Sequence, residues 1–231
     1  FLFIFFLIYI FLKKFFKIFL KNNLVKFSII FWLFLIFISL FSENIVLAYR
    51  DTLIFIRFLA LPIFLIFLVF NNERYLKITI GIIFFSVIFV CLDSFYQFMN
   101  YDPEYGFGQD ILGFSPNWYG RLTGPFYQEL IPGAYISKFG LIGLIFLFIN
   151  IKDQKKQNMI SIIYLTLIGI VSYVSGEKMA FATFLLGTVF LITFYQKKRL
   201  VFLVSLLLII LLSILINKTH PIYNDYKILE S

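Results

Sequence analysis

Arg57, Asp93, Arg121, Glu129, Lys138, Glu177 and Lys178 stand in or beside long apolar runs of this 231-residue chain. Charge in such places is costly and usually functional: on insertion scales a charged residue at the centre of a membrane helix costs about 2.5–3.5 kcal/mol. Cations in a water-poor site can hold an anion, and a carboxylate beside them can take up a proton. The densest stretch is RLTGPFYQELIPGAY, 121–135, which places an Arg, a Glu, two Pro and two Gly between two apolar segments. The single histidine, His220, lies in NKTHPIYNDYKIL near the C-terminus. A lone histidine is more often structural, and a proton-transfer role is the alternative.

The elements that position these residues follow from composition. With 14% charged residues and a mean hydropathy of +0.96, the chain is not an ordinary soluble domain, which carries about 25% charge. The formal charge of +8 does not point to nucleic acid, because the basic residues fall in short clusters between apolar runs. Cys91 is the only cysteine and sits inside an apolar run, so no internal disulfide can form. No metal-ligand cluster, nucleotide-binding glycine motif or Ser-His-Asp arrangement is visible, and no cofactor is expected.

Apolar runs occur at about 24–41, 52–70, 76–97, 132–150, 159–175, 178–195 and 200–216. FLFIFFLIYIFL precedes Lys13 and is too short for the roughly 20 residues of a spanning helix. It reads as the tail of a truncated helix, and the chain as a fragment. The expected fold is an all-α polytopic membrane protein of about eight helices, the first partial, in one transmembrane domain. Lys13–Lys17 read as a cytoplasmic connector with snorkelling lysines rather than a lipid-binding helix.

Thirteen of the 20 basic residues occupy alternate connections: Lys13 to Lys26, Arg74 with Lys77, Lys152 to Lys156, and Lys197 to Arg199. The intervening connections, including 98–131, Glu177–Lys178 and the tail from Asn217, are acidic or mixed. The positive-inside rule puts the basic connections in the cytoplasm and the others outside. Arg57, Asp93, Lys138, Glu177 and Lys178 then all fall in the outer half of the bilayer. Pairing among them to hold the bundle is one reading, and a shared external polar cavity is the other.

Pro132 fits the first turn of a helix, where its missing N–H costs nothing, and 132–150 is then a bilayer-length span. This puts Lys138 about 9 Å below the outer surface. Residues 121–131 become an irregular or short helical segment at the interface, where such backbone must be buried or line a watery cavity. Two small-residue stripes, Gly133–Ser137–Gly140 and Gly176–Ala180–Thr183–Gly187, read as close helix-packing surfaces.

RLTGPFYQELIPGAYISKF resembles the signature of the O-antigen ligase and O-antigen polymerase superfamily, in which an Arg–small–Gly–x–Phe element opens a span after an external loop. LDSFYQF (92–98), YGFG (105–108), IRF (56–58) and SGEK (175–178) occur in the order and spacing of its polymerase-like members. The resemblance covers about residues 45–231. It implies a GT-C-like, metal-independent glycosyltransferase at the periplasmic face of the bacterial inner membrane, among membrane lipids. Its donor would be an undecaprenyl-diphosphate-linked glycan, and its acceptor a second lipid-linked glycan or lipid A–core.

The resemblance makes Arg121 a diphosphate-holding arginine. Lys178 stands where members carry Arg, which keeps the charge but loses the two-pronged fork. Arg57, Lys138, Lys178 and Glu177 would line the diphosphate and glycan site, and Glu129 or Asp93 would supply the base. His220 matches the region of a functional histidine in the family ligases. The rival reading is a transporter or flippase of lipid-linked sugars or another anion, favoured by charge through both leaflets or by inverted repeats, and neither is visible. A non-catalytic scaffold would not need broken backbone around Arg121.

Overall fold

The computed structural model describes residues 22–64, 72–102, 104 and 106–222, with the side chains of Arg57 and of 60–64 outside the described residues. The expected partial helix before Lys13 and the tail beyond residue 222 also lie outside them. Two compact units divide the chain, residues 1–76 and 77–231. Every regular element among the described residues is helical.

In the first unit, α1 (Asn23–Ser39) packs on α2 (Ile45–Phe64). Asn22 caps α1 by accepting the Leu24 N–H at 2.9 Å, and Trp32 Nε1 donates to Thr52 O at 2.9 Å. Asn44 accepts the Leu47 N–H at 3.2 Å, which starts α2 seven residues before the apolar run at 52.

The second unit is built from α3 (Glu73–Met99, of which the first turn belongs to the first unit), α4 (Pro132–Asn150), α5 (Gln154–Val174), α6 (Lys178–Phe194) and α7 (Arg199–Thr219). α5 is central and packs on α4, α6 and α7, and α4 also packs on α6. Leu165, Ile168 and Val171 on α5 are fully buried. Glycines let the helices approach. A β-carbon on Gly140 would meet Ile168 of α5 at 2.9 Å, and one on Gly187 would meet Leu141 of α4 at 2.5 Å. Gly143 faces Tyr164, whose hydroxyl donates to Gly140 O at 2.8 Å. α3 joins the bundle through Phe84, stacked on Phe146 at 4.7 Å and on Tyr164 at 5.2 Å.

Among the described residues, four helices are long and apolar enough to cross a membrane: Glu73–Met99, Pro132–Asn150, Gln154–Val174 and Gln196–Thr219. Asn23–Ser39 and Lys178–Phe194 are apolar but shorter, at 17 residues each. α2, at 20 residues, has the length of a span but carries Arg50, Asp51 and Arg57 and is not among the four.

The connections of the second unit gather at two ends. Leu122 N–H donates to Ser175 O at 3.3 Å, and His220 Nε2 lies 3.1 Å from Phe98 O, so the 100–131 segment, the α5–α6 turn and the end of α7 share one end. At the other, Lys198 Nζ bonds to Gln157 Oε1 and, at 2.7 Å, to Asn158 Oδ1. Buried Lys198 therefore ties the start of α7 to the start of α5. The basic connections 152–158 and 197–199 thus lie opposite the mixed ones.

Candidate functional site

The Arg121 segment is irregular apart from a single 3₁₀ turn, Gly124–Phe126, and it is fixed from both flanks. From α3, the buried Gln97 carboxamide accepts the Thr123 and Gly124 N–H groups at 3.0 and 2.9 Å, and donates to Thr123 Oγ1 at 3.1 Å. From the α5–α6 turn, Ser175 O receives the Leu122 N–H, and Leu122 is fully buried. Gly176 adopts φ +78°, the left-handed conformation that ends a helix, and a β-carbon there would stand 2.7 Å from Gly120 O and 3.2 Å from Arg121 Cγ.

Asp93 is fully buried. Its Oδ1 accepts the Ile111 N–H at 3.0 Å, while its Oδ2 is buried without a hydrogen-bond partner. A β-carbon on Gly124 would lie 3.6 Å from that Oδ2 and 2.5 Å from Ser94 Oγ, so only glycine fits against α3 here. Asp110 closes the neighbouring turn by accepting the Phe114 N–H at 2.7 Å. Asp93 therefore holds the loop before α4 and flanks the Arg121 segment.

Arg121 is half-buried, and its Nε is buried with no hydrogen-bond partner. The only ion pair among the described residues is Arg50–Asp51, so the charges near the α4 start do not pair with one another. Glu177 does something else: its two carboxylate oxygens accept the Gly133 and Ala134 N–H groups at 3.0 and 3.2 Å. It caps α4 across the bundle, where a negative charge also suits the helix dipole.

Asp93, Arg121 and Glu177 are thus brought to one end of the second unit, around residues 120–134. Glu129, Lys138 and Lys178 are exposed. Lys138 shares its helix face with the exposed Ile142, Ile145 and Ile149. Arg57 belongs to α2 of the first unit, and its side chain is outside the described residues. His220 stacks on Phe98 at 4.2 Å between ring centroids and is half-buried. Burial lowers its pKa below the usual histidine value, and the bond to Phe98 O partly offsets this.

Gln97, Ser94 and Asp110 are the residues that sequence reasoning missed. Asp93 and Gln97 are four apart inside an apolar run, which is one polar stripe on a helix face, and that spacing could have drawn attention to Gln97. Chemically, the end offers a guanidinium whose Nε has no partner among the described residues, an exposed carboxylate eight residues on at Glu129, and exposed lysines on two neighbouring helices.

These features define a helical membrane protein with a cationic loop fixed at one end of its bundle. No family model, no curated protein and no solved structure matches the chain.

Proposed function

We propose that the protein is a membrane glycosyltransferase that polymerises or ligates an undecaprenyl-diphosphate-linked glycan at the periplasmic face of the inner membrane. The observation that carries this reading is Arg121, whose buried Nε has no hydrogen-bond partner among the described residues although its loop is held by Gln97 and Ser175. An arginine left unpaired on so well-fixed a loop is arranged for an anion from outside. A guanidinium grips phosphate oxygens with two parallel hydrogen bonds.

In this reaction a hydroxyl of the acceptor glycan attacks the anomeric carbon of the donor. The bond from that carbon to the diphosphate oxygen breaks, and its electron pair leaves with the lipid diphosphate, where Arg121 stabilises the developing charge. The hydroxyl proton passes to a carboxylate, and the exposed Glu129 is the one assigned to accept it. Asp93 and Glu177 act by holding the loop and the α4 start.

The test is the extension or transfer of undecaprenyl-diphosphate oligosaccharide by the full chain in nanodiscs. Arg121→Ala should cost on the order of 2.7–4 kcal/mol of transition-state stabilisation, roughly a hundred- to thousandfold in rate. Arg121→Lys should recover part of that. Glycan transport without any glycosidic bond would establish the transporter reading instead, and an Arg121→Ala variant as fast as the parent would remove Arg121 from the mechanism.

A further inference from the structure

Tyr127 is the one non-glycine among the described residues with a positive φ. Its φ of 60° and ψ of −104°, with the Glu129 N–H donating to Phe126 O at 3.1 Å, make residues 126–129 a type II′ turn with Tyr127 at the second position. Glycine dominates that position because a β-carbon is crowded there. A tyrosine kept in its place is strained and persists only where the surroundings enforce it. Here they do. Gln97 fixes Thr123 and Gly124, the Phe126 N–H donates to Thr123 O at 3.3 Å, and α4 begins at Pro132.

The strain brings no burial. Tyr127 is 56% exposed, and its ring meets Phe114 at right angles, 5.0 Å between centroids, which fixes its direction. Gln128 and Glu129 beside it are also exposed. An oriented ring flanked by an amide and a carboxylate suits a sugar: the C–H face of a pyranose lies on the ring, and its hydroxyls bond to the polar groups. An interfacial tyrosine anchor would need no such backbone, because a ring at an ordinary φ reaches the headgroups equally well.

We propose that Tyr127 is a sugar-binding residue that stacks a pyranose ring of the lipid-linked glycan while Arg121 holds its diphosphate. The proposal rests on the transferase reading above and names the part of the substrate this loop recognises.

The probe is oligosaccharide released by mild acid from the undecaprenyl-diphosphate lipids of the expressing cells, titrated against the full chain in nanodiscs by saturation-transfer NMR. The parent should bind it, Tyr127→Phe should bind it equally, and Tyr127→Gly should bind about tenfold more weakly. Tyr127→Gly should unfold at the same temperature as the parent or higher, since the turn is then relaxed.

No binding by the parent, or equal binding by Tyr127→Gly, overturns the proposal. Binding lost together with a lowered unfolding temperature also overturns it, by making Tyr127 a folding residue. A parent that binds the sugar through Tyr127 but forms no glycosidic bond leaves this site standing and removes the transferase reading.

Discussion

Gln97 and Gly124 are joined across 27 positions of sequence by one oxygen atom: Gln97 Oε1 receives the Gly124 N–H at 2.9 Å, with both residues buried. The same oxygen receives the Thr123 N–H. A segment with only one short 3₁₀ turn of its own thereby has these two buried backbone donors satisfied, which a loop must achieve wherever water is scarce.

Gln97→Leu keeps the volume and removes the acceptor. Each backbone donor left buried and unpaired should cost about 1–3 kcal/mol. Gln97→Glu retains an acceptor for both N–H groups and should restore most of the loss. Thermal unfolding in detergent measures the first effect. Thiol reactivity of a Leu122→Cys reporter in a Cys91→Ser background, low in the parent and high in Gln97→Leu, measures release of the loop.

Gly176 and Gly81 make a contrasting pair. At Gly176 the backbone is left-handed and a β-carbon would approach the Gly120 carbonyl oxygen, which cannot step aside. Gly176→Ala should therefore destabilise by about 1–3 kcal/mol. A β-carbon at Gly81 meets only the Phe146 ring at 3.4 Å. Gly81→Ala should unfold at or above the parent's temperature, because alanine favours the helix by about 1 kcal/mol.

Stability should fall in mild acid. Burial lowers the His220 pKa in the folded protein, so below about pH 6.5 the unfolded chain binds more protons than the folded one. The contribution is complete above that pH and is lost as pH drops through the folded value. Comparing unfolding temperatures at pH 7.5 and 5.0 reads the effect. His220→Phe keeps a ring against Phe98 and should remove the part of the pH dependence that belongs to this residue.

The two ends of the second unit should face opposite sides of the membrane. In a Cys91→Ser background, an impermeant thiol reagent added to intact cells should modify Glu104→Cys and not Lys155→Cys. Modification at 155 in intact cells would reverse the orientation and take Arg121 away from the face where the proposed reaction needs it.

Much of the helical frame was legible because apolar runs and proline are strong local signals. The span expected over 132–150 and the helix Pro132–Asn150 coincide, since Pro132 suits the first turn and Asn150 ends the apolar run. The span expected at 159–175 begins at Gln154 instead, because Asp153 accepts the Lys155 N–H at 2.9 Å and carries the helix through a polar turn that an apolar count omits. The site was less legible. Asp93 stood out as a charge in an apolar run, but its partner Ile111 lies 18 residues away, and no spacing rule reaches that far. Gln97 carries no charge and drew no attention, although it does most to hold the loop. Glu177 stood out as a charge but not as a cap, because the helix it caps begins 45 residues earlier in the chain.

That distance sets an order of assembly. The Gly133 N–H finds its acceptor in Glu177, 44 residues downstream. At about 5–20 residues per second, the ribosome takes roughly 2–9 s to make the intervening chain. Until then the first turn of α4 has no carboxylate at its start, and the loop before it lacks the Ser175 carbonyl that receives the Leu122 N–H. During biogenesis the cationic loop can lock only after α5 has crossed and turned back, so newly made α4 must wait in the translocon or the lipid with its N-terminal amides unfilled.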